Sequence, residues 1–250
     1  MSISETANKN HAALFPNRKS KLSETDPELV EVFDNFAFDE VLGYGNLEPR
    51  TRLMVILASM IACQAIAEYK VMLDGALNVG VTPVEMKEIV YQAVPYVGMA
   101  KVYDFIHATN EILESRGVKL PLEGQSTTTP ETRFVKGYAF QKVIVGERLE
   151  KMYADSPANQ IHIQKYLSAN CFGDYVARAG IDLQTRELLT FSMLLSMGGC
   201  EPQLKVHIQA NLAVGNDKER LLSVVTQLLP YVGYPRTLNA IHCLNEVVPE

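Results

Sequence analysis

The chain has 250 residues, 47% of them hydrophobic and 21% charged, with a formal net charge of -6. That is an ordinary globular composition, long enough for one large domain or two small ones. The mild acidity and the absence of any long Lys/Arg run argue against nucleic-acid binding, and no stretch approaches the ~18 consecutive apolar residues of a membrane span.

Residues 1–27 read as an N-terminal arm. Their opening, MSISETANKNHAALFPNRKSK, is polar and lacks the apolar run of a signal peptide, so a cytoplasmic location is the default expectation. The first helical domain spans 28–116. Its segment MVILASMIA is apolar almost all round, which predicts burial on more than one side and favours association with other subunits. Gly80 reads as a helix stop. Next comes TPVEMKEIVYQAV, with Thr82 as N-cap, Pro83 at the first helical position and Glu85 at the third, a full capping box. Residues 117–130, rich in Gly, Pro, Ser and Thr, read as a linker, and 131–156 as a connecting helix. A second helical domain spans 157–250, and its LLTFSMLLS is again nearly apolar all round. No alternating run bounded by a hairpin turn stands out. The fold class predicted is therefore all-α.

The two domains are copies. PYVGMAKVYDFIHATNEIL from Pro95 recurs as PYVGYPRTLNAIHCLNEVV from Pro230, and the register extends backwards. Leu77, Val79, Gly80, Val90 and Gln92 meet Leu212, Val214, Gly215, Val225 and Gln227, with Asp217 as the cap of the second copy's helix. A period this long marks a domain duplication, not a short-unit solenoid. The useful positions are those that differ. Glu187 faces Leu53 and His207 faces Met72, while His107 and His242 occur in both copies, as suits a shared scaffold role.

His207, on a helix that Pro202 starts, is of the residue type that exchanges protons near neutral pH. Cys200 lies at the expected N-terminal mouth of that helix, where backbone N–H groups and the dipole favour a thiolate. Cys200 and His207 are roughly 10 Å apart along the axis, so they share a face without touching. Glu187, inside an apolar helix, is either salt-bridged, with Arg186 or Arg220, or a carboxylate aimed at His207 or Cys200. Cys63, Cys171 and Cys243 read as fillers of core or loop. Without CxxC spacing, all four cysteines are expected as free thiols. Tyr96 and Tyr231 recur at a helix-to-turn junction, where packing suits both. Gln203 and Tyr231 are the candidate substrate-lining residues. No HxxxH, HExxH or paired-Cys ligand set and no Gly-rich phosphate loop occurs, so neither a metal nor a cofactor is expected.

Arg186-Glu187-Leu188, His207, Gly215 and Tyr231-Val232-Gly233-Tyr234-Pro235 together resemble the carboxymuconolactone decarboxylase family, which includes alkyl hydroperoxidase D-like proteins. The resemblance implies two tandem helical domains packed as a pseudo-dimer, further assembly of the chains (a trimer favoured), and a small-molecule substrate. The hydroperoxidase branch implies a Glu187–Cys200–His207 relay with thiol-based peroxidase chemistry. Its second cysteine, three residues after the first, is replaced here by Gln203, so a thiol cycle would need an external thiol reductant. The decarboxylase branch implies His-centred acid–base chemistry on a lactone acid without a cofactor. Its Glu-Leu-x-x-His pattern is split between the copies, Glu68 standing at the Gln203 position, which leaves a composite site or a surface ion pair of Glu68 with Lys70. A non-catalytic binding or assembly module is the remaining reading.

Overall fold

The computed structural model describes residues 2–16, 18 and 20–249, and among them contains helices and no strand. The arm supplies α1 (Glu5–Leu14) and α2 (Leu22–Thr25), and the first copy opens with α3 (Pro27–Asn35), which runs into a π-helical segment, Phe36–Glu40. The first copy continues with α4 (Pro49–Cys63), α5 (Ile66–Asn78), α6 (Pro83–Val97) and α7 (Met99–Ser115). Residues 131–156 hold two helices rather than one, α8 (Arg133–Val145) and α9 (Arg148–Ala154), because Gly146 takes φ 68° between them. Then follow α10 (Ile161–Tyr166), a second π-helical segment, Leu167–Val176, and α11 (Leu183–Met197), α12 (Glu201–Ala213), α13 (Lys218–Val232) and α14 (Tyr234–Val247).

Local chemistry sets the helix ends. Thr82 Oγ1 accepts from Glu85 N at 3.3 Å while Glu85 Oε2 accepts from Thr82 N at 2.9 Å, closing the box. Asp217 Oδ1 caps α13 by accepting from Arg220 N at 2.7 Å. Gly98 and Gly233, at φ 93° and 77°, end α6 and α13. Pro95 and Pro230 lie inside those helices. The recurrent Pro-Tyr-Val is thus the last helical turn and not the turn that follows it, so each tyrosine projects from a rigid element.

The two copies are paired as α4/α11, α5/α12, α6/α13 and α7/α14. α4 and α11 pack against one another, and the Ser59 and Ser196 hydroxyls meet at 2.7 Å in this seam. Ser196 donates to Ser192 O at 2.6 Å, so Ser59 is the donor to Ser196. The apolar faces that favoured subunit association are consumed within the chain, and one continuous core joins Leu53–Ala62 of α4 to Leu188, Phe191 and Leu195 of α11.

The duplication also reaches the flanks. α1 packs on the first π-helical segment and α5, as α8 packs on the second and α12. α8 crosses the second π-helical segment at two glycines. A Cβ on Gly137 would lie 1.9 Å from Ser168 O, and one on Gly173 would lie 2.1 Å from Arg133 O. Only glycine permits that approach.

Candidate active site

α11 presents two adjacent charged residues to opposite tasks. Arg186, 1% exposed, turns to the first copy: Nη2 donates to Glu88 Oε2 at 2.9 Å and Nη1 to Gln92 Oε1 at 2.9 Å, both on α6. Arg178 completes the cluster, its Nε lying 3.0 Å from each Glu88 oxygen. Glu187, also 1% exposed, turns to α12, where its Oε2 lies 2.8 Å from His207 Nδ1. The expected alternatives, ion pairs of Glu187 with Arg186 or Arg220, are therefore not formed.

A carboxylate can only accept, so Nδ1 of His207 carries the proton and Nε2 is left as the exchangeable nitrogen. Among the described residues Nε2 has no hydrogen-bond partner. The His207 side chain is 12% exposed. Asn211, one turn on, donates to His207 O at 2.7 Å and to Glu187 O at 3.1 Å, and itself accepts from Asn216 at 2.8 Å. This network ties α11 to α12 and fixes the separation of carboxylate and imidazole.

Tyr96 covers the pair from the other copy, its ring edge-on to His207 at 5.7 Å and 77°. Its buried hydroxyl lies close enough to Thr190 and Cys171 to feel both, yet makes no hydrogen bond of acceptable geometry. Burial, with the nearby Cys171 thiol and Glu187 carboxylate, pushes that hydroxyl well above the usual tyrosine range. Burial likewise pushes the Cys171 thiol up to about 12. Both groups are held neutral beside the Glu187–His207 pair.

The other predicted site residues lie elsewhere. Cys200 is the N-cap residue of α12 but makes no side-chain cap; its thiol donates to Leu194 O at 3.2 Å. Burial, then the adjacent Glu201 carboxylate, raises its pKa, the reverse of the helix-terminus expectation. It lines a small cleft with Arg236 and Asn239. Gln203 is exposed on α12. Tyr231 crosses to the first copy, lining a cavity there with Met72, Glu68 and Cys63. Glu68 thus stands by the first copy's cavity, and Lys70 pairs with Glu111 at 2.7 Å instead of with Glu68. His107 and His242 are exposed, His107 against Tyr103 at 4.7 Å and His242 with Glu246 at 3.3 Å.

Tyr96 and Cys171 were absent from the sequence-level candidates. The repeat itself carried the missing signal: Tyr96 with His207 and Tyr231 with Met72 are the same exchange made twice, each copy lending the end of its capped helix to the other. Among the described residues no cluster of three His, Cys, Asp or Glu side chains is placed to hold a metal ion. No helix there is long and apolar enough to cross a membrane.

The profile of the carboxymuconolactone decarboxylase family matches residues 27–111 and again 162–246. The chain belongs to this family. Both matched segments contain helices and no strand, and together they take in α3 to α6 and α11 to α13 whole, with most of α7, α10 and α14. Among similar proteins, the 4-carboxymuconolactone decarboxylase of Acinetobacter baylyi is 29% identical over 122 residues, which is 47% of this chain and 87% of that protein. A 15.0 kDa protein encoded in the nqo9-nqo10 intergenic region of Paracoccus denitrificans is 28% identical over 103 residues, 41% of this chain and 72% of that protein. Each match covers less than half of this family member, as expected where the relative holds one copy and this chain two.

Proposed function

We propose that the second copy is a cofactor-independent acid–base site, a lactone-acid decarboxylase in which His207 is the proton donor and Glu187 its positioning partner. The observation that carries this reading is the 2.8 Å contact of His207 Nδ1 with a buried carboxylate, which leaves Nε2 unpartnered. Similarity to the 4-carboxymuconolactone decarboxylase of Acinetobacter supports a lactone acid as the substrate class.

In such a reaction the bond from carbon to the carboxylate breaks and CO2 leaves. The electron pair spreads into the conjugated lactone, and a proton must then reach carbon. Imidazolium His207 gives that proton from Nε2, and the buried Glu187 carboxylate holds the ring in place while offsetting its charge. The neutral imidazole regains a proton from solvent. Tyr96, Cys171 and Thr190, all uncharged, form a low-dielectric wall in which the His207–Glu187 interaction is strong. Cys200 has no part in these steps.

The test is turnover of a panel of lactone acids followed by CO2 release. His207→Ala should lose about 10²–10⁴-fold in kcat, and Glu187→Gln should fall in the same direction with KM little changed. Full activity of His207→Ala, or turnover of hydroperoxides in place of lactone acids, would refute the reading.

A further inference from the structure

The first copy has lost the histidine–carboxylate pair and holds a cavity of about 440 Å3 at the corresponding place, around Met72. That volume is within the range of small-molecule sites. Aromatic rings line it: Phe15 from the arm, Phe33 from α3, Phe38 from the first π-helical segment and Tyr231 from α13. Phe33 stands near-perpendicular to Phe38 at 6.3 Å and to Tyr231 at 6.1 Å, and Phe15 to Phe38 at 6.4 Å.

Two acids, Asp34 and Glu68, share this lining with two basic residues, His11 and Arg18. Among the described residues, neither acid accepts a hydrogen bond or forms an ion pair. His11 acts on Asp34 and Arg18 on Glu68 through space only, and Arg18 is exposed. Arg52 lines an adjoining small cleft that shares Phe38, Met72 and Tyr231 with this cavity, and among the described residues it forms no ion pair with either acid. Burial pushes both carboxyls above their usual range. Unpaired acids in an apolar setting cost free energy, which a cationic partner would offset. Aromatic faces attract cations through their quadrupoles. The lining is mixed in charge, with the two carboxyls set against Arg18 and His11, and it lacks the histidine–carboxylate contact of the second copy, so this cavity does not duplicate the His207 site.

We propose that the first-copy cavity binds an organic cation, an amine or quaternary ammonium on an apolar body, with its charge held by Asp34, Glu68 and the rings of Phe33 and Tyr231. The inference does not depend on the chemistry assigned to His207.

Isothermal titration of the full chain with benzyltrimethylammonium tests it, with benzyl alcohol as the neutral and phenylacetate as the anionic control. Saturable binding of the cation is expected, with both controls weaker by about tenfold or more. Glu68→Gln and Asp34→Asn should each weaken cation binding by about tenfold, and Phe33→Leu, which keeps apolar volume, by severalfold. His207→Ala should leave it unchanged. Melting curves matching the parent chain exclude unfolding of the variants. No saturable binding up to millimolar cation, equal binding of phenylacetate, or unchanged affinity in the Glu68→Gln/Asp34→Asn double variant would overturn the proposal.

Discussion

At the scale of single residues, environment decides which reactive group reacts. Two thiols flank the second copy's α12 region, and both are pushed up, Cys200 by burial and Glu201, Cys171 by burial. Cys200→Ser is therefore expected to keep lactone-acid turnover within about twofold, and Cys200 to be alkylated by iodoacetamide at pH 7 more slowly than a free thiol; loss of turnover in Cys200→Ser would restore the thiol relay. Cys171 also makes stability depend on pH. Its folded-state pKa of about 12 lies above the ordinary 9.0, so its contribution is whole below pH ~9 and is lost as pH rises toward 12, at about 1.4 kcal/mol per pH unit. Melting temperatures from pH 8 to 10.5 should fall, and fall less steeply in Cys171→Ala. His207 and Glu187 were legible in the sequence because the two copies differ there. A spacing rule placed Cys200 at the helix mouth, where it stands as the N-cap residue of α12, but could not see the Leu194 carbonyl that accepts its hydrogen bond.

At the scale of elements, caps and periodicity were readable and the crossing partners were not. The box at Thr82 and the cap at Asp217 depend on neighbours within three residues, so local sequence contains them. Arg186 depends on Glu88 and Gln92, more than ninety positions away, and no local pattern specifies that contact. The Glu88–Arg186 pair is buried on both sides, at 1% exposure each. Removing one partner leaves an uncompensated charge, so Glu88→Gln should destabilise the chain by about 3–5 kcal/mol in chemical denaturation. The same variant should lower turnover, because α11 carries Glu187 immediately after Arg186. A variant that melts like the parent chain would show the cluster to be dispensable.

At the scale of the whole molecule, the chain is one folding unit despite its two-fold repetition. α4 and α11 bury their apolar faces on each other, so neither copy has a finished core alone. Residues 1–116 and 117–250 expressed separately should each self-associate or aggregate. Mixed, they should regain helical content and a common melting transition. Well-behaved monomers of either half in sedimentation would contradict this.

The exchanged tyrosines tie the copy that has the histidine–carboxylate pair to the copy that lacks it. Tyr96 belongs to the copy without the histidine yet covers His207, and Glu88 and Gln92 of that copy hold the helix that carries Glu187. A change in the first copy is therefore expected to disturb the Glu187–His207 pair of the second. With both halves in one chain, Met72 stands where the other copy has His207, and the two pockets differ in their lining. The arrangement is a division of labour between two halves, neither of which can be discarded.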